Sequence, residues 1–240
     1  MKTTLVNNER VWGVMPAAGT SVRMGGHLPK QYLPLLGKSV IEHSLERLLN
    51  IATLEGVVVA LHAHDQQFSQ LPIANHPKIH TSVGGAERSD SVLSALTSLQ
   101  KKAKLSDWVL VHDAARCCVD ISVINTLLNT LAGHAVGGIL GVPASDTLKQ
   151  IDDKQQILLT LNRRVIWQAQ TPQLFRYGLL REALQSALQK GQVVTDEASA
   201  VELAGYKPQM VMGHYDNIKI THPEDIVVAE TILNQQARLV

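Results

Sequence analysis

The chain has 240 residues, enough for one ordinary domain or two small ones, and its 45% hydrophobic content supplies a core without disulfide or metal staples, which excludes a disordered polymer. Twenty-two Lys and Arg face 21 Asp and Glu, a net charge of +1, so the chain lacks the broad positive field that a nucleic-acid backbone requires and must meet any anion with a local cluster. The two cysteines, Cys117 and Cys118, are adjacent, which suits neither an ordinary disulfide nor a C-x-x-C metal spacing and fits a reducing cytoplasm. Residues 1–10 are polar, and no apolar run approaches the ~18 residues of a membrane span, so a cytoplasmic protein with no membrane partner is expected.

In chain order, Val11 to Ala17 is an apolar run of strand length that feeds a turn-rich basic segment from Gly19 to Lys30. Ser39 with Glu42 has the spacing of a capping box, and Ile41, Leu45, Leu48 and Leu49 share one face of the helix it opens. Gly56 to Leu61 and Trp108 to Val111 are apolar throughout, as expected of strands covered on both faces. Between them lie a short strand at Ile79 to Val83 and an amphipathic helix at Ser89 to Leu99. A helix at Ile121 to Leu131 and a strand at Gly138 to Val142 follow.

This β/α alternation predicts a single doubly wound, mostly parallel α/β sheet over residues 1–240, with ligands at the carboxyl ends of its strands. Residues 146–167 break the pattern. Thr147 to Ile151 and Ile157 to Leu161 alternate around the polar turn Asp152 to Gln155, which predicts a projecting hairpin arm. A lone hairpin is marginal in water, so the arm is expected to pack on a second copy in a two-fold homodimer. Helices near Leu179 to Leu188 and Glu197 to Leu203 are expected next. Strands near Gln209 to Met212 and Asn217 to Ile220, and a last helix capped by Thr221 to Glu224, complete the chain.

Several patterns fail on spacing. Gly37-Lys38-Ser39 has Tyr32 where a P-loop needs its first glycine, and reads as a turn and helix cap. His62-Ala63-His64-Asp65 reads as a solvated strand end rather than a metal site, and the adjacent cysteines as structural. Gly19-Thr20-Ser21 is not a dinucleotide fingerprint, and no acidic residue follows Leu61 to hold a ribose. What survives is Pro16-Ala17-Ala18-Gly19, whose small residues let backbone N–H groups approach an anion, with Arg23 and Lys30 adding two positive charges on the same loop.

Pro16-Ala17-Ala18-Gly19 with Arg23-Met24 and Pro29-Lys30-Gln31-Tyr32 resembles the nucleotide-binding signature of sugar- and alditol-phosphate nucleotidylyltransferases. Gly84-Gly85 with Arg88 and Ser91, His112-Asp113-Ala114-Ala115-Arg116, Asp146-Thr147, Thr171-Pro172-Gln173, Thr195-Asp196-Glu197-Ala198-Ser199 and Asp216-Asn217-Ile218-Lys219 extend the resemblance, in order, to the methylerythritol phosphate cytidylyltransferases of isoprenoid-precursor synthesis. Ser21 and Val22 replace a glycine and a basic residue usual in that signature, Ala86 replaces an acidic residue, and Cys117 a proline.

The resemblance implies a Rossmann-like nucleotidyltransferase fold and attack by an alditol phosphate on the α-phosphorus of CTP, with release of pyrophosphate. A phosphomonoester with its second pKa near ~6 is already an anion at neutral pH, so no general base is needed. The chemistry then rests on positioning and cations. Arg23 and Lys30 are the expected catalytic groups, with the amides of Ala18 to Ser21 assisting and Mg²⁺ bridging the triphosphate. By the same resemblance Pro16, Ala17, Ala18, Gly19, Gly85, Arg88, Ser91, Asp113 and Ala114 hold the nucleotide. Arg163 and Lys219 hold the acceptor phosphate, Arg163 from the neighbouring protomer, while Thr147, Thr171, Asp216 and Arg116 meet the alditol. Asp113 is read either as the carboxylate nearest Mg²⁺ or as a helix cap or salt-bridge partner of Arg116. Two alternatives remain open: a ribitol-5-phosphate cytidylyltransferase, and a noncatalytic nucleotide- or phosphate-binding module.

Overall fold

A computed structural model describes residues 10–19 and 28–238, and Arg23, Ser21 and Val22 lie outside the described residues. Strand β1 (Val11–Ala17) is followed by the two-residue strands β2 (Pro34–Leu35) and β3 (Lys38–Ser39), helix α1 (Val40–Leu49) and strand β4 (Leu54–Leu61). Then come β5 (Ile79–Val83), α2 (Arg88–Ser98), β6 (Trp108–Val111), α3 (Ile121–Thr130) and β7 (Gly137–Pro143). The arm strands β8 (Lys149–Ile151) and β9 (Ile157–Thr160) precede β10 (Trp167–Arg176), α4 (Tyr177–Gln189), α5 (Glu197–Leu203), β11 (Gln209–Met212) and α6 (Glu224–Arg238).

The main sheet has seven strands in the order β11-β7-β10-β6-β1-β4-β5. All neighbours run parallel except β10, which is antiparallel to both β6 and β7. Alternate residues feed two cores on opposite faces, as the period-two geometry of a strand demands. Met15, Val57 and Val59 meet Ile41, Leu45 and Leu48 of α1 and Ile124 and Leu128 of α3. Val14, Val58 and Ala60 meet Val92 and Leu96 of α2 together with Leu180 and Leu184 of α4. Each fully buried Leu or Ile in these layers contributes about 1.5–3 kcal/mol. Cys117 and Cys118 are buried with Leu35 beneath Ala229 and Leu233 of α6, the structural role expected of them.

The helix starts follow the sequence signals. Ser39 and Glu42 form the expected capping box, the Glu42 carboxylate accepting the Ser39 N–H at 2.8 Å, and Gly37 takes the positive φ of 79° that the β2–β3 turn requires. At α6 the Asp225 carboxylate accepts the N–H groups of Thr221 and His222 at 2.7 and 2.8 Å. Asp65, in the histidine-rich strand end, instead accepts the Tyr32 hydroxyl at 2.7 Å and the Phe68 N–H at 2.9 Å.

Two expectations are corrected. Asn217 to Ile220 is not a strand: it is an extended segment docked on the 112–116 turn, with the Ile220 N–H donating to the Ala115 carbonyl at 2.9 Å. Conversely β10, which the sequence conceals, runs through the middle of the sheet. Its ladder with β7 skips from Gln170 to Gln173, so Pro172 sits in the irregularity, where no N–H is demanded.

The arm forms a separate two-stranded sheet whose register pairs Lys149 with Thr160 and Gln150 with Leu159. Every residue of β8 and β9 is exposed, including Ile151, Ile157, Leu158 and Leu159. Asp152 closes the turn, its carboxylate accepting from Lys154 and Gln156 at 2.9 Å each.

Candidate active site

At the carboxyl ends of β1 and β6 lies a cavity of about 180 Å³. One wall is Pro16, Ala17, Ala18 and Gly19, where β1 runs out. The Gln31 amide pins this wall by donating to the carbonyls of Ala17 and Gly19 at 2.9 and 3.2 Å. The opposite wall is Gly85 and the start of α2, and here the glycines are dictated by contact. A Cβ on Gly84 would stand 2.5 Å from the Ala18 Cβ, and one on Gly85 would collide with Asp90. The Ser91 hydroxyl accepts the Gly85 N–H at 3.1 Å and donates to the Glu87 carbonyl, fastening the glycine turn to its helix.

The cavity floor is Asp113 and Ala114, delivered by the end of β6, and its mouth carries the ammonium groups of Lys30 and Lys219. Lys30 opens a 3-10 turn and donates to the Ile220 carbonyl at 3.1 Å, which ties the loop after β1 to the extended segment before α6. Lys219, from that same segment, lies 2.7 Å from Asp113 Oδ2. Asp113 Oδ1 is 2.9 Å from Arg88 Nε, and the two Nη atoms of Arg88 meet both oxygens of Glu197 at 2.6 and 3.0 Å. The result is a chain of alternating charge: Glu197, Arg88, Asp113, Lys219.

Electrostatics fix the protonation states of the two inner members, Arg88 and Asp113. Burial opposes the charge on Asp113, but Arg88, Lys219 and Arg116 outweigh it and hold the carboxyl well below its ordinary range. Burial likewise opposes the charge on Arg88, and Glu197 and Asp113 outweigh it, raising its pKa. Neither group titrates near neutral pH.

Beneath Asp113 a second polar chain sets the backbone. The Thr171 hydroxyl accepts the Asp113 N–H at 3.0 Å and lies 3.1 Å from His112 Nδ1, while His112 Nε2 lies 3.0 Å from the Arg116 carbonyl. Because the hydroxyl accepts from Asp113, its proton points to Nδ1, and Nε2 carries the ring proton that the Arg116 carbonyl accepts. Burial pushes the His112 pKa down to about 4, so the ring is neutral. Thr171, expected at the alditol hydroxyls, is buried with its own hydroxyl committed to Asp113 and His112.

Arg116 is not the salt-bridge partner of Asp113. It donates to the carbonyls of Asn217 at 2.6 Å and Ala169 at 3.4 Å, bracing the 217–220 segment against β10, while Asp113 pairs with Arg88 and Lys219. Arg88, expected to hold the nucleotide, spends its guanidinium on the two carboxylates Asp113 and Glu197. Like Arg116 and Thr171, three further expected residues are not on the cavity wall. Arg163 and Thr147 are exposed at the root of the arm, Arg163 donating to the Ser145 carbonyl at 2.5 Å. Asp216 is half-buried, 3.3 Å from His214 Nδ1.

Among the described residues no three His, Cys, Asp or Glu side chains converge to cage a metal. Asp113 and Glu87 are the carboxylates on the cavity wall, and both Asp113 oxygens already face cations. Such a donor set fits a Mg²⁺ that arrives on a triphosphate, keeps most of its waters and takes at most one or two protein oxygens.

Sequence reasoning assigned no role to Glu197, His112 or Gln31. An acid in the first turn of a helix behind the Asp196 cap reads as an ordinary complement to the helix dipole, and only its complete burial marks it out.

The family profile described as 2-C-methyl-D-erythritol 4-phosphate cytidylyltransferase matches residues 11–235. A protein of that name from Hahella chejuensis is 46% identical over 230 residues, covering 96% of this chain and 95% of its own. Another from Vibrio cholerae is 50% identical over 222 residues, covering 92% and 95%. Among solved structures, a Francisella tularensis protein of the same name superposes with a TM-score of 0.80 at 37% identity, over 93% of this chain and 100% of that one. A 4-diphosphocytidyl-2C-methyl-D-erythritol synthase superposes with a TM-score of 0.81 at 34% identity, over 94% and 99%. The doubly wound sheet, the glycine-lined cavity at its strand ends and these similarities agree, and the chain belongs to the 2-C-methyl-D-erythritol 4-phosphate cytidylyltransferase family.

Proposed function

We propose that the protein transfers the cytidylyl group of CTP to 2-C-methyl-D-erythritol 4-phosphate, giving 4-diphosphocytidyl-2-C-methyl-D-erythritol and pyrophosphate in the non-mevalonate route to isoprenoid precursors. The observation that carries this reading is the meeting of Lys30 and Lys219 at the mouth of one cavity whose inner wall is the small-residue loop Pro16 to Gly19.

An oxygen of the acceptor phosphate attacks the α-phosphorus, and the bond to the β-phosphate oxygen breaks as pyrophosphate leaves. The nucleophile arrives ionised, so the protein's task is to hold two polyanions together and neutralise the charge that accumulates between them. Lys30 and Arg23 stabilise the α-phosphate oxygens and the leaving group, with the amides after Ala17 assisting. Lys219, aimed by Asp113, grips the acceptor phosphate. Gly85, Ser91 and the Pro16–Ala17 turn leave a slot for a pyrimidine, and Arg116 holds the segment that carries Asp216 and Lys219. Asp113 would hold a Mg²⁺ arriving with the triphosphate, which would supply further charge neutralisation.

Arg163 and Thr147 stand on the arm, away from their own cavity, which supports a homodimer in which each arm completes the neighbour's site. The exposed apolar side chains of Ile157, Leu158 and Leu159 supply a surface for that contact. A cytoplasmic setting fits the free, buried Cys117 and Cys118, and no helix among the described residues is long and apolar enough to cross a membrane. Pyrophosphate release with CTP and each of two acceptors, methylerythritol phosphate and ribitol 5-phosphate, tests the assignment. Turnover of the first alone is expected. Preference for the second transfers the assignment to the ribitol enzyme, and CTP binding without any turnover leaves a binding module.

A further inference from the structure

Glu197 is among the most deeply buried charges of the molecule, at 0% exposure, and it is not on the cavity wall. A buried carboxylate–arginine pair is a poor device for stability, since an apolar pair of equal volume serves as well or better. What it controls is the position of its partner. The two-pronged contact from Glu197 fixes the plane of the Arg88 guanidinium and leaves Nε directed at Asp113 Oδ1, so that Oδ2 remains for Lys219. Three elements that do not touch in sequence, the first turns of α2 and α5 and the end of β6, are thereby locked to the 217–220 segment. Of the four charges Lys219 is the most exposed, with 40% of its side chain accessible, and it alone delivers this order to the cavity mouth.

We propose that Glu197 is a positioning residue for the transfer reaction: through Arg88 it holds Asp113 in the orientation that places the Lys219 ammonium where the acceptor phosphate binds. Without the Glu197 charge, one Arg88 Nη group meets an N–H donor in place of its acceptor and the other keeps only a neutral one, and the nearest remaining carboxylate is Asp113. Arg88 then turns its fork onto both Asp113 oxygens and displaces Lys219. The kinetic half of this inference rests on the reading of the site as a cytidylyltransferase; the geometric half does not.

The test is Glu197→Gln, nearly equal in volume, studied by steady-state kinetics with each substrate varied and by crystallography. Expected are a KM for the alditol phosphate raised roughly tenfold or more, a KM for CTP within about twofold of the parent, and a Lys219 ammonium no longer paired with Asp113. Glu197→Asp, which keeps the charge on a shorter stem, is expected to recover part of the acceptor KM. Should Glu197→Gln not fold, Arg88→Lys, which cannot reach both carboxylates, is expected to show the same shift in acceptor KM. A kcat that falls only with the folded fraction while both KM values stay put, or a variant crystal with the Lys219–Asp113 pair intact, overturns the proposal. A parent protein without turnover removes the functional reading instead, and the crystallographic result then decides the role of Glu197 by itself.

Discussion

The hydroxyl of Thr171, on β10, accepts the backbone N–H of Asp113, at the end of β6, across 3.0 Å. It is a side-chain contact where a ladder bond would otherwise run, at the point where the Pro172 irregularity interrupts the strand. Thr171→Val keeps the shape and removes the hydroxyl, stranding the Asp113 N–H and His112 Nδ1 in a buried setting. Such a loss costs about 1–3 kcal/mol, and in a chain of this size about 2–4 °C in Tm per kcal/mol. Calorimetry should show the fall for Thr171→Val and a much smaller one for Thr171→Ser.

Stability should decline on mild acidification, with His112 as the cause. Its pKa is lowered on folding, from 6.5 to about 4, so the unfolded chain takes up a proton in a range where the folded one refuses it. The contribution is present in full above about pH 6.5 and is lost as pH falls toward 4, amounting to about 3 kcal/mol. Asp113 acts lower. Its folded pKa lies below the ordinary 3.8, so its contribution is intact above that value and is lost only as pH falls further. Urea titrations between pH 7 and 4.5 should show a shallower decline for His112→Gln than for the parent, and equal slopes would assign the decline to another group.

Removing either loop cation should strike the chemical step. Lys30→Ala and Arg23→Ala are each expected to lower kcat about a hundredfold or more, the usual effect of deleting a donor aimed at developing phosphate charge. Turnover within a few-fold of the parent would take either residue out of the transition state. Lys30 also ties its loop to the Ile220 carbonyl, so a drop in Tm should accompany its loss.

Light scattering at assay concentration should report twice the mass of one chain. Leu158→Asp, which puts a charge among the exposed apolar side chains of the arm, should shift the protein toward one chain mass and raise the KM for the acceptor. Arg163→Ala should raise the same KM while leaving the mass unchanged. A fully active single-chain species would refute the shared site.

Strong periodicity explains what the sequence disclosed. Val57 to Ala60 and Trp108 to Val111 are apolar at every position because both faces are covered, and their strands could be located without ambiguity. β10 was hidden for the converse reason. It carries Gln168, Gln170 and Gln173 with Pro172, and its interior polar groups are satisfied by partners far away in sequence, as when Gln173 accepts the Ala198 N–H at 3.0 Å and donates to Asp196. The cavity wall was legible because anion binding asks for small residues and cations in a short segment, Pro16 to Lys30. Its floor was only half legible. That Asp113 faces Arg88 and Lys219 rather than Arg116 depends on where α5 and the 217–220 segment come to rest, and no local spacing encodes that.

β10 begins at Trp167, paired with Pro143 where the chain leaves for and returns from the arm, and four residues later reaches Thr171 under Asp113. At about 3.3 Å per residue, the root of the arm and the floor of the cavity are some 13 Å apart along one strand, whose ladder with β7 is unbroken from Trp167 to Gln170 and lapses only at Thr171. If two protomers clasp arms as proposed, a twist applied there would travel along the strand toward the carboxylate beside Lys219, and assembly and turnover would share a mechanical linkage.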